Sequence, residues 1–380
     1  LLCLMQVIIN AAFLPALYAE EYNSLLSELF GAIALQNPEH DFVFICSLEF
    51  KPKQEAPDNV KYHIVKTGSF SGLKNKYRFD ISIPRILNKY KANVFVTPVC
   101  CSLNTTIPQC LLMHLPDIIN YPSMYSRLEA AYYKKNSIRF IKKAEKIIAL
   151  SVSAEKSISA AYPSAAGKIN VSLPAISSIY KPVSYSVGEA IKNKYTGGKE
   201  FFLYGGSTHP SSNLHSLLKA FSLFKKRQQS STKLVIVSLS YPANPSFVKS
   251  IASYKFRHDI VFIENCDEIE YAALLASAYA FVYPVLFNGL CLRILQAVYS
   301  HIPVVASQSA LANELAGNAA LFVDASSQQD IADKLMRIYK DESLRNELIN
   351  NAAIAAEAYK LQLPAQRLWQ NIAAIAMPSS

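Results

Sequence analysis

The chain is 380 residues long, 51% hydrophobic and 17% charged, and it carries a net charge of +10. This length exceeds the size at which a single core stops growing, so we expect two globular domains. The composition excludes a disordered or fibrous protein. The excess of positive charge favours anionic partners, namely a membrane surface, nucleic acid or a phosphorylated substrate.

The first apolar segment, residues 1–19, has the hydrophobicity of a signal peptide or a membrane anchor. It lacks a basic region at its start and contains Gln6, Asn10 and Pro15, which fit neither of these segment types. We therefore predict a buried strand over residues 6–10 that runs into a loop. No other stretch of the sequence is long and apolar enough to span a bilayer.

Apolar runs of strand length alternate with helical segments along the rest of the chain. In the first half the predicted strands are residues 41–45, 93–96, 110–113 and 147–150. In the second half the predicted strands are residues 201–204, 234–237, 260–263, 280–283, 304–306 and 321–323, and the predicted helices are residues 213–225, 268–277, 289–300 and 328–339. This alternation predicts parallel, doubly wound sheets with helices on both faces.

A break in the pattern over residues 177–199, which contain Pro182 and the run Thr196-Gly197-Gly198, predicts the domain boundary. The fold class is therefore α/β, with two Rossmann-like domains that face a cleft. Ligands of such sheets bind at the carboxyl ends of the strands, so the loops after Met113, Tyr204 and Tyr283 are expected to line the cleft.

Seven cysteines are dispersed along the chain without C-x-x-C spacing, and no histidines cluster with them. An odd number of dispersed cysteines is typical of reduced, buried thiols in a cytoplasmic protein, and the pattern gives no zinc site.

Several segments carry a resemblance to a known family. Tyr204-Gly205-Gly206 ends a predicted strand and leads into a loop that reaches Asn213. Residues 287–297 stand where that family has two glutamates eight positions apart, and residues 302–324 match its closing segment. Residues 107–122 are similar to its acceptor-side strand, which ends in His-Asp. The chain thus resembles the family-4 retaining glycosyltransferases of the GT-B fold, also described as glycosyl transferases group 1.

The resemblance implies an acceptor-side domain over residues 1–180 and a nucleotide-sugar donor domain over residues 198–357. It also implies that a C-terminal helix within residues 358–380 packs back on the first domain and buries Trp369. Catalytic roles would fall to His114 and Asn288. The donor would be held by Gly205, Gly206, Ser207, Ser211, Ser212, Asn213, Gly289, Leu290 and Gln296.

The side chains that grip the donor in this family are largely replaced here. The basic pair that neutralises the diphosphate corresponds to Ser207 or Ser211 and to Ser212. The glutamate on the transferred sugar corresponds to Asn288, and the glutamate on the ribose to Gln296. Loss of one preorganised donor costs on the order of 3 kcal/mol of transition-state stabilisation, so the replacements predict a weakened site. The serines are expected to cap the following helix, whose start would still bind an anion.

Other departures concern the first domain and the loop that contains His209. The Asp that follows the catalytic-side His corresponds to Leu115, and the glycine-bearing loop after the first strand corresponds to residues 21–23. For His114, a sugar contact and a purely structural role stay open. His209 is expected to support the loop rather than contact phosphate.

The sequence has no Asp-x-Asp motif, so we expect no metal and no cofactor beyond a nucleotide-sugar substrate.

Residues 127–146 concentrate the positive charge, with seven Lys and Arg against Glu129 and Glu145. The apolar residues between them predict a basic amphipathic helix suited to an anionic membrane surface, which would place a cytoplasmic protein peripherally on the inner face. A solvated charged face is the alternative. Nucleic acid is disfavoured, since no recognised nucleic-acid motif accompanies the charge.

Two functions remain open on these grounds. One is a retaining glycosyltransferase that transfers a sugar from a nucleotide-sugar to a glycan or lipid-linked acceptor in cell-surface polysaccharide assembly. The other is a catalytically silent homologue that binds a partner.

Overall fold

The computed structural model describes residues 4–12, 14, 19–47, 56–66, 73–98, 103–113, 127–174, 176–239, 243–286, 290–357 and 362–376. The chain divides into two compact units, of which the first comprises residues 1–175 with 360–380 and the second comprises residues 176–359. The division falls just ahead of the break expected at residues 177–199. No helix of the described residues is long and apolar enough to cross a membrane.

The first unit contains a parallel sheet of seven strands in the order β3-β2-β1-β4-β5-β6-β7. The strands are β1 (Gln6–Ala11), β2 (Asp41–Cys46), β3 (Val60–Ile64), β4 (Val94–Thr97), β5 (Gln109–Met113), β6 (Lys146–Ala149) and β7 (Ile169–Val171). The helices are α1 (Ala19–Gln36), α2 (Leu73–Lys89), α3 (Arg127–Lys143), α4 (Val152–Ala161) and, from the end of the chain, α13 (Gln362–Ala376). The predicted strands at residues 6–10, 41–45 and 110–113 fall within these elements.

The second unit contains a parallel sheet of six strands in the order β10-β9-β8-β11-β12-β13. The strands are β8 (Phe201–Gly206), β9 (Lys233–Ser238), β10 (Ile260–Glu264), β11 (Ala280–Tyr283), β12 (Val304–Ser307) and β13 (Ala320–Val323). The helices are α5 (Tyr185–Thr196), α6 (Leu214–Gln228), α7 (Pro245–Ala252), α8 (Glu268–Ala276), α9 (Leu292–Tyr299), α10 (Ala310–Ala316), α11 (Gln328–Lys340) and α12 (Glu342–Glu357). Two parallel Rossmann-like sheets are therefore present, as the alternation predicted.

The strands that the sequence missed lie at sheet edges. β3 and β7 are only partly buried, so they lack the continuous apolar run that marks a central strand such as β8, in which every residue is buried. An edge strand has one sheet neighbour instead of two, which relaxes the demand for apolar residues.

The predicted break at residues 177–199 contains a helix that the sequence analysis missed. Ser184 accepts a hydrogen bond from the Val187 N–H at the start of α5, and Gly197 ends it in the left-handed conformation with a φ of 60°. The Gly-Gly pair therefore closes a helix rather than forming part of a linker.

The C-terminal helix α13 belongs to the first unit. The ring of Trp369 lies 5.1 Å from that of His40 and 5.8 Å from that of Phe42, and the Ser172 hydroxyl donates to the Pro364 carbonyl oxygen over 3.3 Å. Trp369 is half-buried rather than fully buried, because its large indole covers the edge of the core while one side stays in water.

The basic helix is shorter than the predicted range of residues 127–146. α3 ends at Lys143, and Lys146 begins β6, where its side chain donates to the Asn170 side chain over 3.4 Å. The change from helix to strand follows the apolar run after Lys146, which is buried in the sheet.

Candidate functional site

The second sheet has a switch point between β8 and β11, because the chain adds strands on one side of β8 up to β10 and then on the other side from β11 onward. In open parallel sheets ligands bind at the carboxyl ends of the strands at such a point. The ends of β8 and β11 are Gly206 and Tyr283, and the predicted donor residues of the second unit follow these two strands.

Gly205 and Gly206 are required by the aromatic side chains around them. A Cβ on Gly205 would come within 2.4 Å of the Tyr271 ring and hydroxyl, and one on Gly206 would lie 2.9 Å from the Tyr204 hydroxyl. The Tyr204 ring in turn stacks on Tyr283 with ring centres 5.8 Å apart. The resemblance places both glycines among the residues that would hold the donor. In the structure, the space beside their backbone is occupied by the Tyr271 and Tyr204 side chains.

The loop after β8 is held together by its own side chains. The Ser207 hydroxyl accepts the His209 N–H over 3.1 Å, and the His209 Nδ1 accepts the Ser211 N–H over 3.2 Å. Since Nδ1 is an acceptor here, a neutral His209 carries its proton on Nε2. His209 also lies 2.8 Å from the Ser211 hydroxyl, so it supports the loop.

Asn213 joins three loops at the carboxyl edge of this sheet. It adopts the left-handed conformation with a φ of 58°, and its Nδ2 donates to the Pro284 oxygen over 2.9 Å and to the Ala325 oxygen over 2.7 Å. Pro284 follows β11 and Ala325 follows β13, so one side chain fixes both loops to its own.

The expectation that serines cap the next helix is wrong. Ser211 and Ser212 lie in a short 3₁₀ turn, and α6 begins at Leu214 behind Asn213 without a side-chain cap. Ser212 is buried, with 6% of its surface exposed. Both serines belong to the turn that precedes Asn213, so Asn213 occupies the position at which a capping side chain would act.

Gln296 is buried in α9, with 2% of its surface exposed, and its Oε1 accepts a hydrogen bond from Arg293 over 3.0 Å. Arg293 is itself only 5% exposed, and its guanidinium lies 5.6 Å from the centre of the Tyr271 ring. The sequence analysis missed Arg293. A single charged residue within the apolar run of residues 290–298 was the signal that could have revealed it.

The predicted helix at residues 289–300 begins later than expected. Cys291 takes the left-handed conformation with a φ of 53°, and α9 begins at Leu292. Leu290 is buried. Asn288 and Gly289 lie outside the described residues, as do His114 and Leu115.

The switch point of the first unit lies between β1 and β4. Asn10 donates from Nδ2 to the Thr97 hydroxyl over 3.1 Å, and its Oδ1 accepts the Ala12 N–H over 3.3 Å. The sequence analysis did not single out this pair. Residues 21–23, aligned with a phosphate loop, lie instead inside α1. The polypeptide is already helical there, and Tyr22 is buried.

No group of three or more His, Cys, Asp or Glu side chains that could hold a metal ion occurs among the described residues. Metal independence stays a prediction.

The sequence model of the family described as "Glycosyl transferases group 1" matches residues 189–354. This range covers nearly all of the second unit, from α5 to α12. The second unit is therefore the part of the chain that is similar to the group 1 glycosyltransferases.

Curated relatives agree with that similarity. The chain is 25% identical over 233 residues to the O-antigen chain mannosyltransferase RfbU of Salmonella typhimurium, which covers 60% of this chain and 61% of that protein. It is 24% identical over 259 residues to the O-antigen chain mannosyltransferase B of Escherichia coli, which covers 68% and 66% respectively. The matches thus span less than two thirds of either relative's own length.

Solved structures extend the fold assignment to the whole chain. Sucrose-phosphate synthase from Thermosynechococcus elongatus superposes with a TM-score of 0.78 and 14% identity over 96% of this chain and 98% of that one. Anabaena HepE in complex with UDP and glucose superposes with a TM-score of 0.74 and 16% identity over 97% of this chain and all of that one. Together with the two parallel sheets, these likenesses show that the chain has the GT-B fold.

Proposed function

We propose that the protein transfers a sugar from a nucleotide-sugar to a glycan or lipid-linked acceptor, with retention at the transferred sugar, in the assembly of a cell-surface polysaccharide such as O-antigen. The curated relatives are mannosyltransferases of O-antigen chains, which supports this class of product. The donor would bind the second unit, the part of the chain that matches the family model.

The observation that carries the proposal is the hydrogen-bonded cluster of loops at the switch point. Asn213 ties the loop after β8 to the loops after β11 and β13 through two hydrogen bonds, and the Leu286 N–H donates to the Ser211 oxygen over 3.1 Å. A binding site held rigid in this way loses little conformational entropy when a ligand enters. A nucleoside diphosphate is the ligand found with a protein of the same fold, Anabaena HepE.

Donor transfer is tested by incubating the purified protein with GDP-mannose or UDP-glucose and a lipid-linked saccharide acceptor, and by measuring release of the nucleoside diphosphate. We expect release that depends on the acceptor and a product with retained anomeric configuration. The Asn213→Ala variant should lose activity because its three loops are no longer joined. Release at the rate of a heat-inactivated control with every donor would refute the proposal.

The composition of the loop after β8 favours the silent homologue as a second candidate. Residues 205–213 contain no Lys or Arg, and the Ser207 and Ser211 hydroxyls are already engaged with His209. If the absence of Lys and Arg from this loop weakens donor binding, Ser211→Arg should raise nucleoside-diphosphate affinity about tenfold to a hundredfold. Each charge-assisted contact contributes roughly 1.5–3 kcal/mol.

Ser212 is a poor site for a restored Lys because its side chain is buried, so Ser207→Arg is the alternative position. Transfer by the unmodified protein would exclude the silent homologue. Affinity restored by Ser211→Arg without any transfer would favour it.

We propose further that α3 contacts an anionic membrane surface. Among the side chains of α3 that the structure describes, the exposed ones recur at helical spacing on one face, with Ile138 53% exposed. They are Arg127, Ala131, Lys135, Ile138, Arg139 and Lys142. The opposite face, with Phe140 and Ile141, is buried in the first unit. Cations around the exposed Ile138 side chain are complementary to an anionic bilayer, which would bring the protein to a lipid-linked acceptor.

The membrane contact is tested by co-sedimentation with vesicles that contain or lack phosphatidylserine. Binding should require the acidic lipid and weaken with salt, because exposed charges are screened beyond about 10 Å at 0.1 M ionic strength. The triple variant K135Q/R139Q/K142Q should abolish it. The control K219Q/K226Q/K340Q removes three exposed lysines of the second unit and should bind normally. Equal binding to neutral vesicles would contradict the proposal.

A further inference from the structure

Arg293 and Gln296 form a buried polar pair on one face of α9. The two residues are separated by three positions, and the guanidinium donates to Oε1 over 3.0 Å. Both side chains are more than nine-tenths buried. Burial of a cation and an amide next to each other is costly unless their hydrogen-bonding groups are used, so such a pair calls for a role.

The guanidinium decides which way the Gln296 amide is turned. Arginine carries N–H donors and no acceptor, so the amide atom 3.0 Å from it must be the oxygen. The nitrogen, Nε2, therefore faces away from Arg293. No described residue accepts a hydrogen bond from Nε2.

The pair is placed beside the switch point by Tyr271. The Tyr271 ring lies against the backbone of Gly205 on one side, while the Arg293 guanidinium lies 5.6 Å from its centre. The start of the loop after β8 and the start of α9 thus share one aromatic side chain. This is the same region in which three loops converge on Asn213.

We propose that Arg293 is a positioning residue that turns Gln296 into a hydrogen-bond donor, so that the Gln296 subsite binds a phosphate oxygen of the donor rather than a ribose hydroxyl pair. This inference rests on the proposed nucleotide-sugar function of the second unit. A carboxylate at this position would accept hydrogen bonds from hydroxyl groups, whereas the Gln296 amide N–H donates. Both hydroxyl and phosphate oxygens accept such a bond, but only the phosphate oxygen is anionic, and the buried positive charge of Arg293 beside the amide favours the anion.

The proposed phosphate subsite also gives a role to the buried positive charge of Arg293 on α9. The loop after β8 has no Lys or Arg, while Arg293 brings positive charge to the Tyr271 ring from α9. The positive charge that favours a diphosphate is therefore supplied from the other side of the switch point.

The experiment compares the affinities of inorganic pyrophosphate, UDP and uridine for the wild-type protein and three variants, by isothermal titration calorimetry. Gln296→Glu keeps the shape of the side chain and gives Arg293 an ionic partner, but it replaces the donor with a negative charge. We expect it to weaken pyrophosphate and UDP by about tenfold to a hundredfold without lowering the melting temperature. Arg293→Met should weaken the same two ligands, and uridine should bind all variants equally.

Arg345→Met is the matched control. Arg345 also lies over a tyrosine ring, 4.3 Å from the centre of Tyr279, and also bonds a residue three positions away, Glu342, over 3.1 Å. Its loss removes one positive charge from the same unit, so it should leave all three affinities unchanged.

The inference is overturned if Gln296→Glu leaves pyrophosphate affinity unchanged, or tightens UDP and uridine together, because the side chain would then face the ribose. It is also overturned if the wild type binds neither pyrophosphate nor UDP. The proposed function fails separately: pyrophosphate binding that is sensitive to Gln296→Glu, together with no preference for nucleotides and no sugar transfer, would keep the phosphate subsite and reject the glycosyltransferase.

Discussion

The two sheets reverse their strand order at equivalent places, but the two switch points are built differently. In the first unit a direct side-chain hydrogen bond joins β1 to β4, from Asn10 to Thr97. In the second unit β8 ends in two glycines, and the space beside them is filled by tyrosine side chains from α8 and from β8 itself.

The difference shows that the switch point of a parallel sheet can be stabilised either by a hydrogen bond between side chains or by aromatic side chains packed on glycine backbone. In the first unit the buried amide needs its partner because an unsatisfied polar group is costly. In the second unit no side chain is available on Gly205 or Gly206, so the contacts that order the loops come from Asn213 further along the chain.

Asn213 is expected to be the most sensitive position of the second switch point. Asn213→Ala removes two hydrogen bonds. It also leaves alanine, which tolerates the left-handed conformation less well than asparagine, at a φ of 58°. We therefore expect a loss of about 3–4 kcal/mol in the free energy of unfolding. Asn213→Gly keeps the backbone conformation and should lose about 1 kcal/mol less. Urea denaturation measures both, and equal losses would show that backbone strain contributes nothing.

Gly205→Ala tests whether aromatic packing requires the glycine. The added Cβ would overlap the Tyr271 ring, so we expect about 2–3 kcal/mol of destabilisation. The double variant G205A/Y271A should be less destabilised than the sum of the two single variants, because removal of the ring relieves the overlap.

Gly31→Ala is the control for Gly205→Ala. Gly31 lies in α1 with no atom within 4 Å of its Cβ position, so alanine should stabilise the protein by about 0.5–1 kcal/mol through its higher helix propensity. A similar loss at both glycines would contradict the packing argument.

The polar pair of the first switch point should show direct coupling. We expect Asn10→Ala to cost about 2 kcal/mol and Thr97→Val about 1 kcal/mol, with a coupling of about 0.5–1.5 kcal/mol in the double-mutant cycle. The cycle is measured by chemical denaturation. Strict additivity would mean that the 3.1 Å contact does not join the two strands energetically.

Acid should lower the free energy of unfolding of the second unit through Asp259. We expect this effect to be smaller than those at Asn213, at Gly205 and at the Asn10–Thr97 pair. Burial raises the pKa of Asp259, but hydrogen bonds from Lys233 and Lys225 outweigh it and hold the pKa below its usual value. A carboxylate with a lowered folded-state pKa stabilises the protein above its unfolded pKa of about 3.9, and the contribution is lost as pH falls through the folded-state value.

Asp259→Asn should therefore cost about 1 kcal/mol or less at neutral pH and nothing once the acid is fully protonated in both states. Thermal melts of the wild type and the variant at matched pH measure the difference. A gap that stays constant down to the lowest pH would exclude the charge as its source.

Much of the architecture could be predicted from the sequence. Continuous apolar runs such as residues 201–204 and 280–283 mark central strands, since both faces of a parallel sheet must be covered. The edge strands β3 and β7 and the helix α5 escaped, because partial burial and a Gly-Gly run give weak or misleading local patterns.

For the candidate site, too, the sequence accounts for one part and the tertiary structure for the other. The sequence by itself determined that residues 205–213 lack Lys and Arg and that Gln296 stands where a glutamate was expected. Only the tertiary structure decided that Gly205 makes room for Tyr271, that Asn213 joins loops 71 and 112 positions away, and that Arg293 orients the Gln296 amide. The reason is physical: spacing along a chain reports periodic burial, whereas the direction of a buried hydrogen bond depends on which distant groups the completed fold brings within reach.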